Sequence, residues 1–215
     1  MWYWIYQFLK LFALLALPFI LLIRGAVYFH IHQAWSPWVA LLGGALGAAL
    51  LLVLYLTFIH GKLTGRVVGG GVLKRRALLA GFLVLGYCIH GVVFLSSNNA
   101  KGEQVQREFT RLHPILRLGV STLIFLDPAL LITDASRQPE DYRKMGLPTK
   151  TRSLHYPQSN GYVHAIDLRT RGHGEWRNAL LKGYFRLMGF RTLRHGGTAD
   201  HLHVSLFSRD APGAL

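Results

Sequence analysis

Residues 38–59 read WVALLGGALGAALLLVLYLTFI, an apolar run of 22 residues that contains no charged side chain. About 20 such residues allow a helix to cross the roughly 30 Å hydrocarbon core of a bilayer. Residues 77–95 form a second uncharged run, of 19 residues. A third segment, about 3–24, begins with several Trp and Tyr residues, which prefer the membrane interface, where Lys10 can also lie. The sequence therefore predicts three transmembrane helices.

The first apolar segment has a second interpretation, which is a cleaved signal peptide. Its basic N-terminal region is weak, and no cleavage site of the Ala-x-Ala type precedes the next apolar run. We therefore favour a retained helix, and we assign residues 1–96 to a membrane region with helices at about 3–24, 38–59 and 77–95.

Charged residues are divided unevenly between the two halves of the chain. All ten acidic residues follow position 100, whereas the first hundred residues carry seven Lys or Arg and no Asp or Glu. This first half excludes a fully cytosolic enzyme, and the ordinary composition of the second half excludes a pure membrane pore or a disordered tail. Half of the formal charge of +14 flanks the apolar segments. We therefore expect a lipid membrane and no nucleic acid as a partner.

The basic residues of the first half also predict an orientation. Five of the seven lie between the second and third apolar runs: Lys62, Arg66, Lys74, Arg75 and Arg76. The positive-inside rule puts this loop in the cytoplasm, so the third helix runs outward. We expect a multi-pass protein of the bacterial inner membrane, with residues 97–109 as a linker and helix start and a C-terminal domain that is periplasmic or extracellular.

The second half has the pattern of a small α+β domain with an antiparallel sheet, over about residues 110–207, followed by a tail at 208–215. Periodicity and turn signals predict helices at 104–118 and 176–188, and strands at 121–125, 129–133, 162–168 and 203–207. They also predict a short helix that Ser136 caps, with Pro139 and Glu140 in its first turn, and that ends at Gly146. His113–Pro114 is expected to break the first helix, and His195 with the following glycines is expected to form a turn.

Two segments of this domain combine histidines with carboxylates. They are residues 153–167, SLHYPQSNGYVHAID, and residues 200–206, DHLHVSL. A catalytic zinc ion typically takes three protein ligands from His and carboxylate and keeps a fourth position open. His155, Asp167 and His203 supply that set, and Asp200 could take a proton from the attacking water. We expect His201 and His203 to point to opposite faces of a strand, so that one is a ligand and the other a neighbour.

These residues resemble the zinc peptidases that cut peptidoglycan stem peptides, a family of D-alanyl-D-alanine carboxypeptidases and L-alanyl-D-glutamate endopeptidases with the fold of the hedgehog signalling domain. The family motif SxHxxGxAxD is matched in order by Ser153, His155, Gly161, Ala165 and Asp167. A second motif, an acidic base three residues before the last zinc-binding His, is matched by Asp200, His201 and His203. The resemblance covers about residues 110–207.

The resemblance implies a zinc cofactor and a role for each matched residue. It implies His155, Asp167 and His203 as zinc ligands and Asp200 as the base, while His201 stabilises the oxyanion or positions that base. Family members also carry an Arg in a segment like SGYRSPEEQ, which holds a carbonyl or carboxylate of the substrate. Residues 132–140, ITDASRQPE, resemble that segment, so Arg137 takes this role.

The chain departs from the family in the spacing of the first motif. The His and Asp of the motif are seven residues apart in the family, whereas His155 and Asp167 are twelve apart. An inserted loop can leave both ligands in place, because the entropy of loop closure grows slowly with length. The alternative ligand is His164, three residues before Asp167, which a strand would turn to the opposite face.

The sequence thus predicts a membrane-anchored zinc metallopeptidase, of bacterial or phage origin, that hydrolyses a bond in peptidoglycan stem peptides. The alternative is a non-catalytic module that binds zinc or wall peptide on a membrane protein, and the stretched first motif is its main support. Asp200 distinguishes the two, because a binding module needs the ligands but no base.

Overall fold

The computed structural model of the chain describes residues 2–65, 69–144, 146, 148–197 and 200–214. The chain divides into two compact units, Met1–His90 and Gly91–Leu215. Arg66, one of the five basic residues used to predict the orientation, lies outside the described residues.

The described part of the first unit contains three long apolar helices. They are α1 (Trp2–His32), α2 (Pro37–Thr64) and α3 (Gly70–Val93), and α3 continues into the second unit. Each is long and apolar enough to cross a membrane. The three predicted transmembrane helices are therefore confirmed as helices of that length and composition, and α1 and α2 extend several residues beyond the predicted bounds.

Small residues allow α1 and α2 to approach each other closely. A Cβ atom on Gly44 would lie 2.2 Å from the carbonyl oxygen of Leu22, so a larger residue does not fit there. Ala26 of α1 and Ala40 of α2 are also fully buried. Because lipid tails are as apolar as leucine, helices in a membrane associate through such close packing rather than through the hydrophobic effect.

The outer face of α2 is apolar and exposed. Its residues recur every fourth position and have between 56% and 71% of their surface exposed: Leu42, Leu46, Leu50, Leu54 and Phe58. Residues four apart share one face of a helix, so these side chains form a continuous apolar stripe. Such a stripe is suited to lipid and supports a membrane-spanning region.

The second unit combines short helices with a small sheet. Its described helices are α4 (Glu103–Glu108), α5 (Pro114–Leu126), α6 (Pro139–Lys144) and α7 (Glu175–Leu187). Its described strands are β1 (Ile132–Asp134), β2 (Ala165–Arg169), β3 (Arg191–His195) and β4 (His201–Ser205). Among the described residues these strands form one antiparallel sheet in the order β1-β2-β4-β3, which confirms the predicted sheet type.

Two predicted elements of this unit are wrong. The strand predicted at 121–125 lies inside α5, and the turn predicted at His195 is the end of strand β3. The first error arose because a short apolar run suits either element. The predicted break at His113–Pro114 is confirmed: the Nδ1 of His113 accepts a hydrogen bond from the Ile115 amide, and Pro114 begins α5.

The sheet separates a helical layer from a polar surface. The side chains of Ile166 and Val204 are fully buried, and they alternate with Asp167 and His203 along β2 and β4. Thr192 is paired with Val204 and accepts a hydrogen bond from Arg186 of α7, so α7 packs on the apolar face. Asp167 and His203 therefore face the other side of the sheet.

Candidate metal centre

Three segments that are distant in sequence bring donor atoms to one point on the polar face of the sheet. Asp167 lies on β2 and His203 lies directly opposite it on β4. His155 comes from the loop between α6 and β2. Its Nε2 lies 3.4 Å from Asp167 Oδ1 and 3.3 Å from His203 Nδ1, while Asp167 Oδ1 and His203 Nδ1 are 2.8 Å apart.

These three residues, which we call the cluster (His155, Asp167 and His203), fit a tetrahedral metal ion. Ligand atoms placed about 2.0–2.2 Å from a tetrahedral zinc ion are separated by roughly 3.3–3.6 Å. The two separations that involve His155 fall in this range, and the third is the length of a hydrogen bond. All three side chains are buried, and one carboxylate with two imidazoles is a donor set that suits zinc.

The position of the His155 ring is determined by its surroundings. Its Nδ1 donates a hydrogen bond of 2.6 Å to the Ala135 carbonyl, which leaves Nε2 available to the cluster. The Oγ of Ser153 lies 2.8 Å from the hydroxyl of Tyr142 and accepts a hydrogen bond from the His155 amide. A hydrogen bond from the other ring nitrogen to a backbone carbonyl determines the tautomer and orientation of a histidine that binds a metal.

The alternative ligand His164 lies outside the cluster. Its Nε2 contacts the side chain of Asn160, at 2.9 Å from Nδ2, and its Nδ1 contacts the Phe207 carbonyl at 3.1 Å. The residues between His155 and β2 fold back on themselves, with a turn at Gly161, whose φ of +78° favours glycine. The extra residues therefore form a loop, and His155 and Asp167 still meet.

Arg137 binds the carboxylate that belongs to the cluster. Its Nη2 donates to Asp167 Oδ2 at 2.6 Å, and its Nε donates to Asp134 Oδ2 at 2.7 Å. Burial opposes the charge of the guanidinium, but Asp167 and Asp134 raise the pKa of Arg137 above its ordinary value. Burial likewise opposes ionisation of Asp167, yet His155 and His203 hold the pKa of this carboxyl well below its usual range. Asp167 is thus an ionised carboxylate with one oxygen directed at the histidines and the other at Arg137.

The prediction that His201 and His203 point to opposite faces is wrong. Residues two apart on a strand share a face. The Nε2 of His201 lies 3.6 Å from Asp167 Oδ2, and His203 contacts the other oxygen of the same carboxylate. His201 is also stacked on His195, with 4.8 Å between ring centroids and 27° between planes.

His195 is a residue of this site that the sequence interpretation missed. It ends β3 opposite His201, and burial together with the nearby His201 lowers its pKa. The signal that could have located it is the run Arg191–His195 followed by two glycines, which is typical of a strand that ends in a hairpin turn.

The carboxylate of Asp200 is held by hydrogen bonds and an ion pair. It accepts a bond of 2.6 Å from the Thr170 hydroxyl and bonds of 3.1 and 2.9 Å from Nε and Nη2 of Arg194. Arg194 also donates to Glu175 at 2.6 Å. The bonds from Arg194 and Thr170 lower the pKa of Asp200 to about 2. Sequence spacing does not indicate this clamp of Asp200 by Arg194 and Thr170, because it depends on the pairing of β4 with β3 and with β2.

An open cleft of about 720 Å³ adjoins the cluster. Four of the predicted site residues line it: Arg137, Asp167, Asp200 and His201. Cationic side chains form much of the rest of its lining: Lys101, Lys150, Arg169 and Arg171. The arrangement can therefore hold a metal ion at the wall of a cleft that attracts anionic groups.

Comparisons of the chain with protein-family models, with curated proteins and with solved structures found no match.

Proposed function

We propose that this protein is a membrane-anchored zinc metallopeptidase that hydrolyses a peptide bond in peptidoglycan stem peptides. The observation that carries the proposal is the convergence of His155, Asp167 and His203 beside the cleft. These are the residues that the motif resemblance implies as ligands. The long apolar helices support a location in a membrane. In this proposal the membrane is the bacterial inner membrane, and the basic residues between the second and third apolar runs put the second unit on its outer side.

In this proposal zinc is held by His155, Asp167 and His203, and it supplies the Lewis acidity that polarises the scissile carbonyl and activates water. Arg137 keeps Asp167 oriented and ionised through its 2.6 Å bond to Oδ2. Because Arg137 also lines the cleft, its remaining N–H groups can orient a carbonyl or carboxylate of the substrate by charge-assisted hydrogen bonds.

Asp200 is the proton acceptor in this mechanism. Its pKa of about 2 keeps it ionised at neutral pH, which a proton acceptor requires. A carboxylate with so low a pKa is also a weak base, because efficient general bases have a pKa near the working pH. We therefore expect the Arg194 clamp to loosen when a substrate occupies the cleft.

The chemistry of the cleft lining supports an acidic peptide as the substrate. The described lining contains three acidic residues: Asp134 and Asp167 share Arg137, and Asp200 is paired with Arg194, so their negative charge is partly neutralised. The cations Lys101, Lys150 and Arg169 add positive charge to the same surface. Stem peptides carry carboxylates along their length and at their ends, and complementary charge of this kind speeds and orients binding.

The Arg194 clamp also favours a second candidate function, a non-catalytic module that binds zinc or wall peptide. The carboxylate of Asp200 already accepts bonds from Arg194 and Thr170, as expected for a structural residue. In this function the zinc ligands remain necessary and Asp200 does not.

One experiment separates the two functions. The full chain is purified in detergent, loaded with zinc and incubated with muropeptides, and the products are separated by chromatography. Cleavage that is lost in Asp200→Asn while zinc is retained supports the peptidase. Glu140→Gln is the matched control, because Glu140 is an exposed carboxylate paired with Arg143. A wild-type protein that binds zinc and muropeptide without cleaving it supports the binding module.

A further inference from the structure

Helix α7 carries exposed apolar side chains outside the core. Trp176 is 85% exposed and Leu180 is 71% exposed, and they lie four residues apart on one face. Leu181 and Phe185 of the same helix are buried in the core, so the exposed pair forms a second apolar surface. Single exposed apolar residues are ordinary, whereas a cluster of large ones marks an interaction site.

The end of α5 carries two further exposed apolar residues. Phe125 is 77% exposed and Leu126 is 68% exposed. Asp127, which follows them, accepts two hydrogen bonds from Arg177, of 2.8 and 2.9 Å, and Arg177 follows Trp176. This bidentate ion pair joins the end of α5 to the start of α7. We call the four exposed residues on these two helix ends the apolar patch: Phe125, Leu126, Trp176 and Leu180.

The apolar patch lies close to the end of an apolar helix. Within the second unit, Ser121 of α5 donates to the Gly91 carbonyl at 2.6 Å, and Arg117 donates to the Val92 carbonyl at 3.0 Å. Gly91 and Val92 belong to the last turn of α3, which is long and apolar enough to cross a membrane. Phe125 is one turn beyond Ser121, about 6 Å along the axis of α5.

The chain itself continues this apolar surface at the end of α3. Val93 is 66% exposed and Phe94 is 57% exposed, and both follow directly on the residues that contact α5. Within the second unit, exposed apolar side chains therefore lie at the end of α3 as well as on α5 and α7, and α5 contacts the last turn of α3.

We propose that the apolar patch inserts into the interfacial region of the lipid bilayer that α3 spans, so that the second unit rests on the membrane through α5 and α7. Tryptophan prefers this region of a bilayer. Within α7, Arg177 is matched by Asp127 and Glu175 by Arg194, and the helix also carries Lys182 and Arg186, basic residues that favour anionic lipid. Continuity with α3 favours lipid over a second copy of the chain as the occupant.

This contact has a consequence for the cleft. Helix α7 packs on the face of the sheet that contains Thr192, and the cluster of His155, Asp167 and His203 lies on the opposite face. Resting on α5 and α7 therefore turns the cleft away from the bilayer. The proposed membrane contact does not depend on the proposed peptidase activity, because α7 and the cluster lie on opposite sides of the sheet.

The test uses the full chain with Trp176 as its single tryptophan, the other four (Trp2, Trp4, Trp35 and Trp38) being replaced by Phe. The protein is inserted into nanodiscs of mixed zwitterionic and anionic lipid, with or without lipid brominated at carbons close to the headgroup. We expect brominated lipid to reduce the emission of Trp176 by about twofold or more, as for an interfacial tryptophan. The matched control replaces Trp176 by Phe and introduces Lys150→Trp on the exposed lining of the cleft, where no quenching is expected.

Three outcomes would overturn the proposal. The first is that brominated lipid leaves the emission of Trp176 unchanged, although it quenches the emission of a variant whose single tryptophan is Trp38. The second is equal quenching at position 150, which would mean that the patch is not the contact. The third is that the emission of Trp176 changes with the ratio of protein to lipid but not with bromination of the lipid. This result would mean that a second copy of the chain covers the apolar patch.

A second measurement tests the contact with the native tryptophans in place. A nitroxide is attached at Leu180→Cys in a Cys88→Ala background, which removes the chain's one native cysteine. We expect the label to collide more often with oxygen, which partitions into lipid, than with a water-soluble nickel chelate. The reverse order would contradict the proposal.

Discussion

Asp167 and His203 are directly opposite each other on neighbouring strands, and their side chains meet with 2.8 Å between Oδ1 and Nδ1. The ladder between β2 and β4, rather than a loop, therefore determines the separation of two of the three donors. The third donor, His155, comes from a loop, but its bond to the Ala135 carbonyl determines the orientation of its ring. The strands thus fix Asp167 and His203, and a loop of greater length can still bring His155 to them. This explains how the lengthened first motif can form the cluster.

Replacing His155 and replacing His164 should have different effects on metal binding. We expect about one zinc ion per chain in the wild type, none in His155→Ala and an unchanged content in His164→Ala, because three protein ligands are needed for a stable site. Both side chains are buried, so each variant loses a buried imidazole and the two are matched. Metal content is measured by mass spectrometry on the purified full chain, and loss of zinc only in His164→Ala would disprove the ligand assignment.

Arg137→Gln should weaken zinc binding without removing a ligand. The guanidinium orients Asp167 through a bond to Oδ2, and loss of such an outer partner typically weakens metal affinity about 10–100-fold. Competition with a chromophoric chelator measures the change in Kd. The control is Arg143→Gln, because Arg143 forms an exposed pair with Glu140 away from the cluster. An unchanged Kd in Arg137→Gln would show that Asp167 is oriented by other contacts.

The clamp on Asp200 predicts a pH dependence of stability. The folded pKa of Asp200 is about 2, below its ordinary value of 3.8, so the clamp stabilises the fold at neutral pH and loses this effect as the pH falls through that range. Arg194→Met should therefore lower the thermal unfolding midpoint at pH 7 and have little effect near pH 2. Arg194 also lowers the pKa of Glu175, so the loss of this ion pair likewise lowers the unfolding midpoint of Arg194→Met at pH 7 more than near pH 2. A difference between the two proteins that grows as the pH falls would contradict this prediction.

Gly44→Ala should destabilise the first unit. The added methyl group would lie 2.2 Å from the Leu22 carbonyl oxygen, and overpacking of this kind typically costs about 1–3 kcal/mol. Gly47→Ala is the matched control on the same helix, because its methyl group would meet Leu21 at an ordinary 3.6 Å. Thermal unfolding in detergent compares the two. Equal midpoints for both variants would mean that α1 and α2 can separate without loss of stability.

The errors in the sequence interpretation have a common origin. The run at residues 121–125 is apolar enough for a strand or a helix, and the hydrogen bond from the Ile115 amide to His113 begins the helix that includes it. His195 was assigned to the turn with the two glycines that follow it, whereas its pairing with His201 shows that the strand extends to this residue. Arg194 was missed because its contact with Asp200 depends on the pairing of β3 with β4.

The sequence by itself determined the three long apolar helices, because the ability to cross a bilayer depends on the length and composition of one continuous segment. It also determined which residue types could bind a metal and in what order they occur. Only the tertiary structure decided that His155 rather than His164 reaches Asp167 and that Arg194 clamps Asp200. The physical reason is that these relationships depend on strand register and on the path of a loop, which bring together residues up to 48 positions apart.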